Sequence, residues 1–477
     1  MRKLFVAAAM LLMAAMLHAK VELPSIISDN MVLQQGSEVA LWGWTTPGRK
    51  VVVSGSWAKK SVSAVADENG KFIVRIPTCE AGGPYTVSFN DGDKTVLNNV
   101  LLGEVWFCSG QSNMEMPMEG FTNQPVEGAA KMIATAKPSR NIRMVTVTRR
   151  TTLAEQDRPA GGSWEMHTPE AVAKTSATAY YFADLLEQTL GVPVGLLITN
   201  WGGTPIEAWM DRATIEGGFA GEFDLAFLDG TELPNKASKK PCTLFNGQVA
   251  PLVPYTFKGM IWYQGCDNIN RAEQYTRLQP AYVKMMRERF GNPEAPFYFV
   301  QLAPYKYKDP GSFSLGYMCE AQARTLDLIP HSGMAATLDA GEFGTIHPCK
   351  KQPVGERLAF LALQDTYGIG GFDAHTPLYE SMKIEGSSII VQLRCEKGGI
   401  APIGVDLPGF ELAGEDKVFH PATGLVRSFG IVVTSPEVEH PVAVRYGFRN
   451  WSEATLFNNY GIPVGPFRSD NWDDIER

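Results

Sequence analysis

The sequence predicts an α/β protein in which a parallel sheet, covered by helices, lies between two β-rich regions. Between residues 100 and 375 apolar strand candidates alternate with helical patterns, which is typical of a parallel sheet with helices on both faces. On either side of this region, short apolar runs are separated by Gly, Pro, Asn and Asp turns. The chain has 477 residues, and at roughly 150 residues per domain this length predicts two to four domains.

The first residues have the pattern of a secretory signal. Arg2 and Lys3 precede an apolar run from Leu4 to Leu17, and small residues lead to Ala19. This run is short for a membrane span, and a polar segment follows it. We therefore expect a signal peptide over 1–19, export to the periplasm or the outside of the cell, and no membrane association after cleavage. An uncleaved anchor helix is the alternative.

The segment 20–99 is predicted to be a β-sandwich domain, and 376–477 a second β-rich domain. In the first, apolar runs at 39–44, 50–54, 72–76 and 85–89 are separated by turns such as Asp67-Glu-Asn-Gly. In the second, strands are expected at 388–394, 430–435 and 442–446. The sequence leaves open whether these two regions pack together.

The central domain, 100–375, is predicted to contain six strands and four clear helices. The strands are expected at 104–109, 142–147, 193–199, 257–264, 296–302 and 333–339. The helices are expected at 170–190, 271–289, 316–327 and 350–367.

Composition argues against several classes of protein. The formal net charge is −8 and the isoelectric point is near 5.5, and Lys and Arg are scattered, so we expect no nucleic-acid partner. The seven cysteines form no CxxC pair, and an exported chain of this size can fold on its core alone, so no disulfide framework is expected. The sequence does not indicate an oligomeric state.

Four features fall at positions where they can meet at one end of the sheet. Ser112 follows the first central strand, Gly202-Gly203 follow the third, and Asn268 follows the fourth. His347 precedes the last helix. In an open parallel sheet, ligand chemistry gathers beyond the carboxyl ends of the strands. A serine, an imidazole and amide donors there would suit acyl transfer.

Each feature also has an ordinary structural explanation. Ser112 could belong to a polar turn, Gly202-Gly203 to a tight turn, and Asn268 to a helix N-cap near 269–271. His347 could be a surface loop residue. Their coincidence at strand ends favours the catalytic interpretation.

The ordered motifs resemble the sialate O-acetylesterase family of SGNH hydrolases. They are Gly-Gln-Ser-Asn-Met at 110–114, Trp-Gly-Gly-Thr-Pro-Ile-Glu-Ala-Trp at 201–209, Trp-Tyr-Gln-Gly-x-x-Asn at 262–268 and Ile-His-Pro at 346–348. The similarity extends to the opening at 23–34, the stretch at 244–252 and the tail at 457–468. It implies an SGNH-type, flavodoxin-like three-layer α/β domain. It also implies an esterase that removes acetyl groups from carbohydrate, with no metal or organic cofactor.

The resemblance assigns roles to individual residues. Ser112 would be the nucleophile and His347 the base. The oxyanion donors would be the N–H groups of Ser112 and Gly203, or of Gly202, and the amide of Asn268. Glu207 would orient the glycine turn or cap a helix.

Two departures from the family pattern concern the acid of the triad. Relatives usually carry an aspartate two or three residues before the histidine, where this chain has Thr345 and Gly344. They also usually read Glu-Ser where this chain has Cys266-Asp267. Loss of the acid from a Ser-His-Asp triad typically lowers turnover by about 10⁴.

Three explanations follow. Another acid substitutes, for which Glu342, Asp339 and Asp267 are candidates, although Asp267 could simply stabilise a helix start. Alternatively, Ser112 and His347 act as a dyad with a backbone carbonyl fixing the tautomer. In the third, the chain binds glycan without turning it over.

We therefore expect an exported serine esterase whose substrate is an O-acetylated sugar, with sialic acid first and an acetylxylan-type ester as the alternative. The rival class is a catalytically impaired glycan-binding or accessory protein. A protease or lipase is disfavoured, because Ser112 lacks a Gly-x-Ser-x-Gly elbow.

Overall fold

The computed structural model describes residues 20–472, so the predicted signal segment at 1–19 lies outside the described residues. Within that range the chain forms a mixed α/β structure with two hydrophobic cores. None of the described helices is long and apolar enough to cross a membrane.

The N-terminal region is made of β-strands, and all four runs predicted there are confirmed as strands. β2 pairs with β5 as a separate ribbon, whereas β4, β3, β6 and β7 pair in that order. The strands are β1 (Val32–Gln34), β2 (Glu38–Trp44), β3 (Lys50–Gly55), β4 (Val62–Val65), β5 (Lys71–Pro77), β6 (Gly82–Asn90) and β7 (Lys94–Gly110).

Strand β7 joins this region to the central sheet. It is 17 residues long; its first part pairs with β6 and its last part lies inside the central sheet. The boundary predicted between residues 99 and 100 therefore falls inside one strand. Buried side chains of both regions form a single hydrophobic core.

The central region contains all six predicted strands, together with one short extra strand. The order is β13-β12-β11-β7-β10-β8-β9, and every pair is parallel except β8 with β9. The predicted parallel sheet is thus mixed, because β9 and β6 add antiparallel neighbours. The strands are β8 (Ile142–Thr146), β9 (Glu165–Met166), β10 (Val194–Asn200), β11 (Gly259–Tyr263), β12 (Phe297–Val300) and β13 (Ser332–Ala335).

Eight α-helices are described in this region. They are α1 (Ser112–Glu115), α2 (Ala129–Ala134), α3 (Pro169–Lys174), α4 (Ala177–Leu190), α5 (Arg212–Gly218), α6 (Ala272–Arg289), α7 (Ser314–Arg324) and α8 (Gln352–Leu361). Short 3₁₀ turns lie at Ile206–Trp209, Ala226–Asp229, Ala237–Lys239, Ala250–Leu252, Cys266–Asn268 and Thr325–Asp327, and π-turns at Phe245–Val249 and Ala362–Thr366.

Helices α4 and α6 approach β7 from opposite sides. The ring of Trp106 lies 4.9 Å from that of Phe182 in α4, and the ring of Phe107 lies 5.7 Å from that of Phe290, just after α6. Successive side chains of a strand point to opposite faces, so these two contacts cover both faces of the sheet at β7.

The helix predicted at 170–190 is broken in two, which corrects the prediction. Thr175 is extended, and the hydroxyl of Ser176 caps α4 by accepting a hydrogen bond from the N–H of Ala179. At the break, the N–H of Met118 donates to the carbonyl of Thr175 at 2.8 Å. The break therefore anchors the chain that leaves α1.

The C-terminal region is an antiparallel sheet with its own core, and its three predicted strands are confirmed. The order is β14-β15-β19-β18-β17-β20-β22. Tyr379 of the first strand stacks on Phe467 of the last, with 5.2 Å between ring centroids, so the sheet nearly closes. Within the described residues none of its strands pairs with the N-terminal region. The strands are β14 (Leu378–Glu385), β15 (Ser388–Arg394), β16 (Ile400–Ala401), β17 (Asp406–Ala413), β18 (Phe419–Arg427), β19 (Gly430–Thr434), β20 (Ala443–Tyr446), β21 (Phe457–Asn458) and β22 (Phe467–Arg468).

His375 lies where the central and C-terminal regions meet, and three carboxylates surround it. Its Nε2 lies 3.1 Å from Asp365, and its Nδ1 lies 3.2 Å from Asp373 and 3.3 Å from Glu396. The hydrogen bond with Asp365 is the main cause that raises the pKa of His375 to about 9, above the ordinary value of 6.5.

We predict that His375 stabilises the fold in acid more than in alkali. Because its folded-state pKa is raised, the stabilisation is fully present below pH ~6.5 and is lost as the pH rises through about 9. His375→Gln should lower the free energy of unfolding by on the order of 2–3 kcal/mol at pH 6, and by much less at pH 10. Urea unfolding at both pH values measures this, and an equal loss at both would contradict it.

Candidate active site

Three strand ends are tied together at the carboxyl edge of the sheet. The N–H of Trp201, after β10, donates to the carbonyl of Gly110 in β7 at 3.1 Å. The N–H of Gln111 donates to the carbonyl of Tyr263 in β11 at 3.0 Å, and its side-chain oxygen accepts from the N–H of Gly265 at 2.9 Å. The turns that carry the candidate residues therefore converge at one place.

Ser112 is the first residue of α1, directly after this junction. Gly110 has a φ of +146°, and a Cβ there would lie 2.2 Å from the carbonyl oxygen of Tyr263. Only glycine fits this close approach. Ser112 is partly exposed, and its hydroxyl has no hydrogen-bond partner within the described part of the chain.

Asn113 brings the loop of His347 to the turn of Ser112. Its side-chain amide donates to the carbonyl of Ile346 at 3.0 Å. Ser112 and Asn113 are neighbours in the chain, as are Ile346 and His347. The structure thus joins the two candidate catalytic residues through the residues next to them.

The side chain that orients His347 is Gln124. Its Oε1 lies 2.7 Å from Nδ1 of the imidazole, and an amide oxygen can only accept a hydrogen bond. Nδ1 therefore carries the proton, and the lone pair is on Nε2. Gln124 and Phe121 exchange two backbone hydrogen bonds of 2.9 and 3.0 Å, and the Phe121 ring lies 5.3 Å from the imidazole.

None of the three predicted acids contacts His347 within residues 20–472. Asp339 forms a bidentate pair with Arg357 at 2.6 and 2.7 Å. Asp267 pairs with Lys239 at 2.6 Å. Glu342 accepts a hydrogen bond from the backbone N–H of Cys349 at 3.2 Å. The prediction that Glu342, Asp339 or Asp267 is the partner of the imidazole is therefore corrected.

Thr345 occupies one of the two positions at which relatives usually carry the aspartate. Its hydroxyl accepts a hydrogen bond from the backbone N–H of His347 at 3.1 Å and so supports the loop rather than the ring. Sequence reasoning missed Gln124 because an exposed loop, remote in sequence from His347, carries no motif that signals such a contact.

The surroundings of His347 favour the neutral imidazole. Burial lowers its pKa below the ordinary value, and the positive charge of Lys351 lowers it further, whereas Glu115 acts in the opposite direction. A neutral imidazole with a free lone pair is the form that a general base requires.

The glycine turn after β10 offers backbone donors beside Ser112. Gly203 has a φ of +66°, in the left-handed region, and a Cβ on Gly202 would lie 3.2 Å from Cβ of Ser112. The N–H of Gly202 is engaged by Glu115 at 2.5 Å. Within the described residues, the N–H groups of Ser112 and Gly203 have no acceptor.

Asn268 is fully buried in a hydrogen-bond network. Its Oδ1 accepts from the N–H of Ile206 at 3.0 Å and from Gln264 at 2.7 Å, and its Nδ2 donates to Glu207 at 3.0 Å. Glu207 is held in turn by Arg271 at 2.7 Å. The alternative role as a helix N-cap is wrong, because Arg271 is the N-cap of α6. Glu207 orients Asn268 and leaves one N–H of its amide for a further acceptor.

The comparisons with known proteins decide the family. The family described as "Carbohydrate esterase, sialic acid-specific acetylesterase" matches residues 102–347. Sialate O-acetylesterases from Pongo abelii and Homo sapiens are each 30% identical over 402 residues, which cover 76% of this chain and 74% of theirs.

The chain belongs to the sialic acid-specific acetylesterase family of carbohydrate esterases. The crystal structure of a carbohydrate acetylesterase from Xanthomonas citri is 32% identical, with a TM-score of 0.85, and covers 95% of this chain and 100% of that one. The protein is accordingly a carboxylic ester hydrolase with the mixed α/β architecture of a carbohydrate esterase.

A groove of about 1000 Å³ lies at the other end of the sheet. Lys258, Pro296 and Ser332, which line it, lie at or just before the amino ends of β11, β12 and β13. None of the predicted site residues lines this groove, so its size has no bearing on the ester-hydrolase site.

We predict that the contact between Gln124 and His347 raises the kcat of ester hydrolysis by this protein. Gln124→Leu should lower kcat by roughly 10- to 100-fold, because the imidazole loses its orienting acceptor. Gln124→Glu should retain or raise kcat and move the acid limb of the pH profile to higher pH, because a carboxylate stabilises the imidazolium. Steady-state hydrolysis of an aryl acetate checks both, with the exposed neighbour Thr122→Ala as control. Wild-type rates in Gln124→Leu would refute the assignment.

Proposed function

We propose that this protein removes O-acetyl groups from carbohydrate by serine catalysis, with Ser112 as nucleophile and His347 as base. Family membership supports the reaction. The bridge from Asn113 to Ile346 and the contact of Gln124 with Nδ1 of His347 support the two roles. The carrying observation is that the free lone pair of His347 is on Nε2, on the side of the ring away from Gln124.

In the proposed mechanism, Nε2 of His347 takes the proton of Ser112 as Oγ attacks the acetyl carbonyl. The tetrahedral oxyanion receives hydrogen bonds from the N–H groups of Ser112 and Gly203 and from the remaining N–H of Asn268. Its collapse breaks the bond to the sugar oxygen, which takes the proton from His347. Water then attacks the acetyl-enzyme with His347 again as base, the bond between the acetyl carbon and Oγ breaks, Oγ takes the proton back from His347, and acetate leaves.

Of the three explanations for the missing aspartate, the contact of His347 with Gln124 favours a serine–histidine pair. A neutral side-chain amide stands where that explanation placed a backbone carbonyl. Such an amide fixes the tautomer but adds no negative charge to stabilise the imidazolium. We therefore expect slower turnover than in a relative with a complete triad.

We propose an O-acetylated sialic acid as substrate, as the names of the relatives state for those proteins. Two basic side chains flank the glycine turn, each already paired with a carboxylate: Arg149 with Glu115 and Lys239 with Asp267, both at 2.6 Å. An anionic sugar would have to share these cations with their carboxylates. The guanidinium of Arg149 lies 5.6 Å from the centroid of the Trp201 ring, and Nζ of Lys239 would lie 3.9 Å from a Cβ on Gly203. An acetylated xylose ester lacks a carboxylate and is the neutral comparison substrate.

We further propose an SGNH-type, flavodoxin-like layering for the central domain and export of the protein. The parallel order of β13-β12-β11-β7-β10-β8 supports the first proposal. The pattern of residues 1–19 supports the second.

Replacing Ser112 tests the proposed nucleophile. Ser112→Ala should lower kcat at least about 10³-fold on an acetylated sialic acid and on an aryl acetate, because the proposed mechanism forms the acetyl-enzyme on Ser112 alone. Ser61→Ala, at an exposed position in the N-terminal region, is the matched control. Equal rates in Ser112→Ala and wild type would remove Ser112 from the mechanism. Saturable sugar binding without hydrolysis by wild type would favour the glycan-binding class.

Replacing Asn268 tests the oxyanion donor. Asn268→Ala should lower kcat about a hundredfold or more with little change in KM, since the donor acts mainly in the transition state. Asn270→Ala, at an exposed asparagine two residues on, is the control. A thermal unfolding scan separates this loss from loss of the buried network. A rise in KM with kcat unchanged would contradict the role.

A further inference from the structure

Lys351 is a fully buried lysine directly behind the turn of Ser112. Its Nζ donates to Oδ1 of Asn113 at 2.5 Å and lies 5.8 Å from the centroid of the Tyr263 ring. Its acceptor is thus a neutral amide, although buried lysines ordinarily require a paired charge. The proposed mechanism gives this costly group no task.

The hydrogen bonds of Asn113 show what Lys351 can do. One end of the Asn113 amide accepts from Lys351, and the other donates to the carbonyl of Ile346. The amide is buried, and its own backbone carbonyl accepts from Thr178 at 3.2 Å. With Lys351 on Oδ1, the NH₂ group must face Ile346, so a flipped amide is excluded.

We propose that Lys351 is a positioning residue for the esterase reaction: it fixes the orientation of Asn113 and thereby holds the loop of His347 against the turn of Ser112. This inference rests on the proposed serine–histidine mechanism. Lys351 acts through Asn113 and reaches neither substrate nor Ser112 in the contacts described.

The charge of Lys351 adds a second effect on His347. Burial lowers the pKa of Lys351 to about 7, while Cys266, Cys349 and Glu342 oppose the shift. Below that pH the ammonium of Lys351 disfavours protonation of His347, whereas the carboxylate of Glu115 favours it. Lys351 therefore keeps the imidazole neutral to lower pH than burial alone would.

Three variants separate orientation from charge. Lys351→Met removes both, so kcat should fall about tenfold or more and the acid limb of kcat/KM should move to higher pH. Lys351→Gln keeps a donor for Asn113 without the charge. Its kcat should therefore be close to that of wild type, while the acid limb of its kcat/KM profile should still lie at higher pH. Lys350→Met removes an adjacent exposed lysine and should leave both unchanged.

A direct titration gives a readout that a merely structural role would not change. The pKa of His347, followed by NMR and assigned with His347→Asn, should be higher in Lys351→Met and Lys351→Gln than in wild type. Asn113→Leu should lower kcat as Lys351→Met does, and the double variant should lose no more than either single variant.

The outcomes are distinguishable. If Ser112→Ala remains active, the proposed function fails whatever Lys351 does. If Ser112→Ala is inactive while folded Lys351→Met keeps the wild-type kcat, or the NMR titration of His347 is unchanged, the inference about Lys351 is overturned. Should Lys351→Met not fold, Lys351→Gln and the His347 titration decide the question alone.

Discussion

The amide of Asn113 is the constraint on which the site depends. The proposed nucleophile lies on a strand-end turn and the proposed base on a loop more than two hundred residues later, so the two can cooperate only if something fixes their separation. Asn113 does so with a single planar group, which donates to Ile346 and accepts from Lys351. Because an amide has distinct ends, the arrangement specifies direction as well as distance.

In the proposed catalytic cycle, the charges around His347 favour the neutral imidazole, which accepts a proton, over the imidazolium, which donates it. Burial and the ammonium of Lys351 keep the imidazole neutral, which prepares it to accept a proton. Gln124 orients the ring without adding negative charge. In the proposed mechanism, the imidazolium is therefore stabilised less than it would be beside a carboxylate. Glu115, which could offset this, is itself paired with Arg149 at 2.6 Å.

Strand and helix positions in the central region were largely predictable, because apolar runs and helical patterns alternate there. The break at Thr175 and Ser176 was not, because it depends on hydrogen bonds with residues 116–118, far away in sequence. The site was predictable where glycine-rich motifs follow strands. Gln124 and Lys351 were not, because their partners, His347 and Asn113, are remote in sequence. Asp339 looked suitable because it lies close to His347 in the chain, and Asp267 because its loop was expected to neighbour the histidine, but nearer cations engage both of them.

The length of β7 has a consequence for how this protein can be divided. The same strand forms sheet contacts with β6 at one end and ends at Gly110, two residues before Ser112, at the other. A truncated form starting at residue 100 would begin in mid-strand and uncover apolar side chains that residues 20–99 shield. The N-terminal region is therefore a structural support of the strand that leads to Ser112 and not an interchangeable accessory, which limits how this protein can be shortened or recombined.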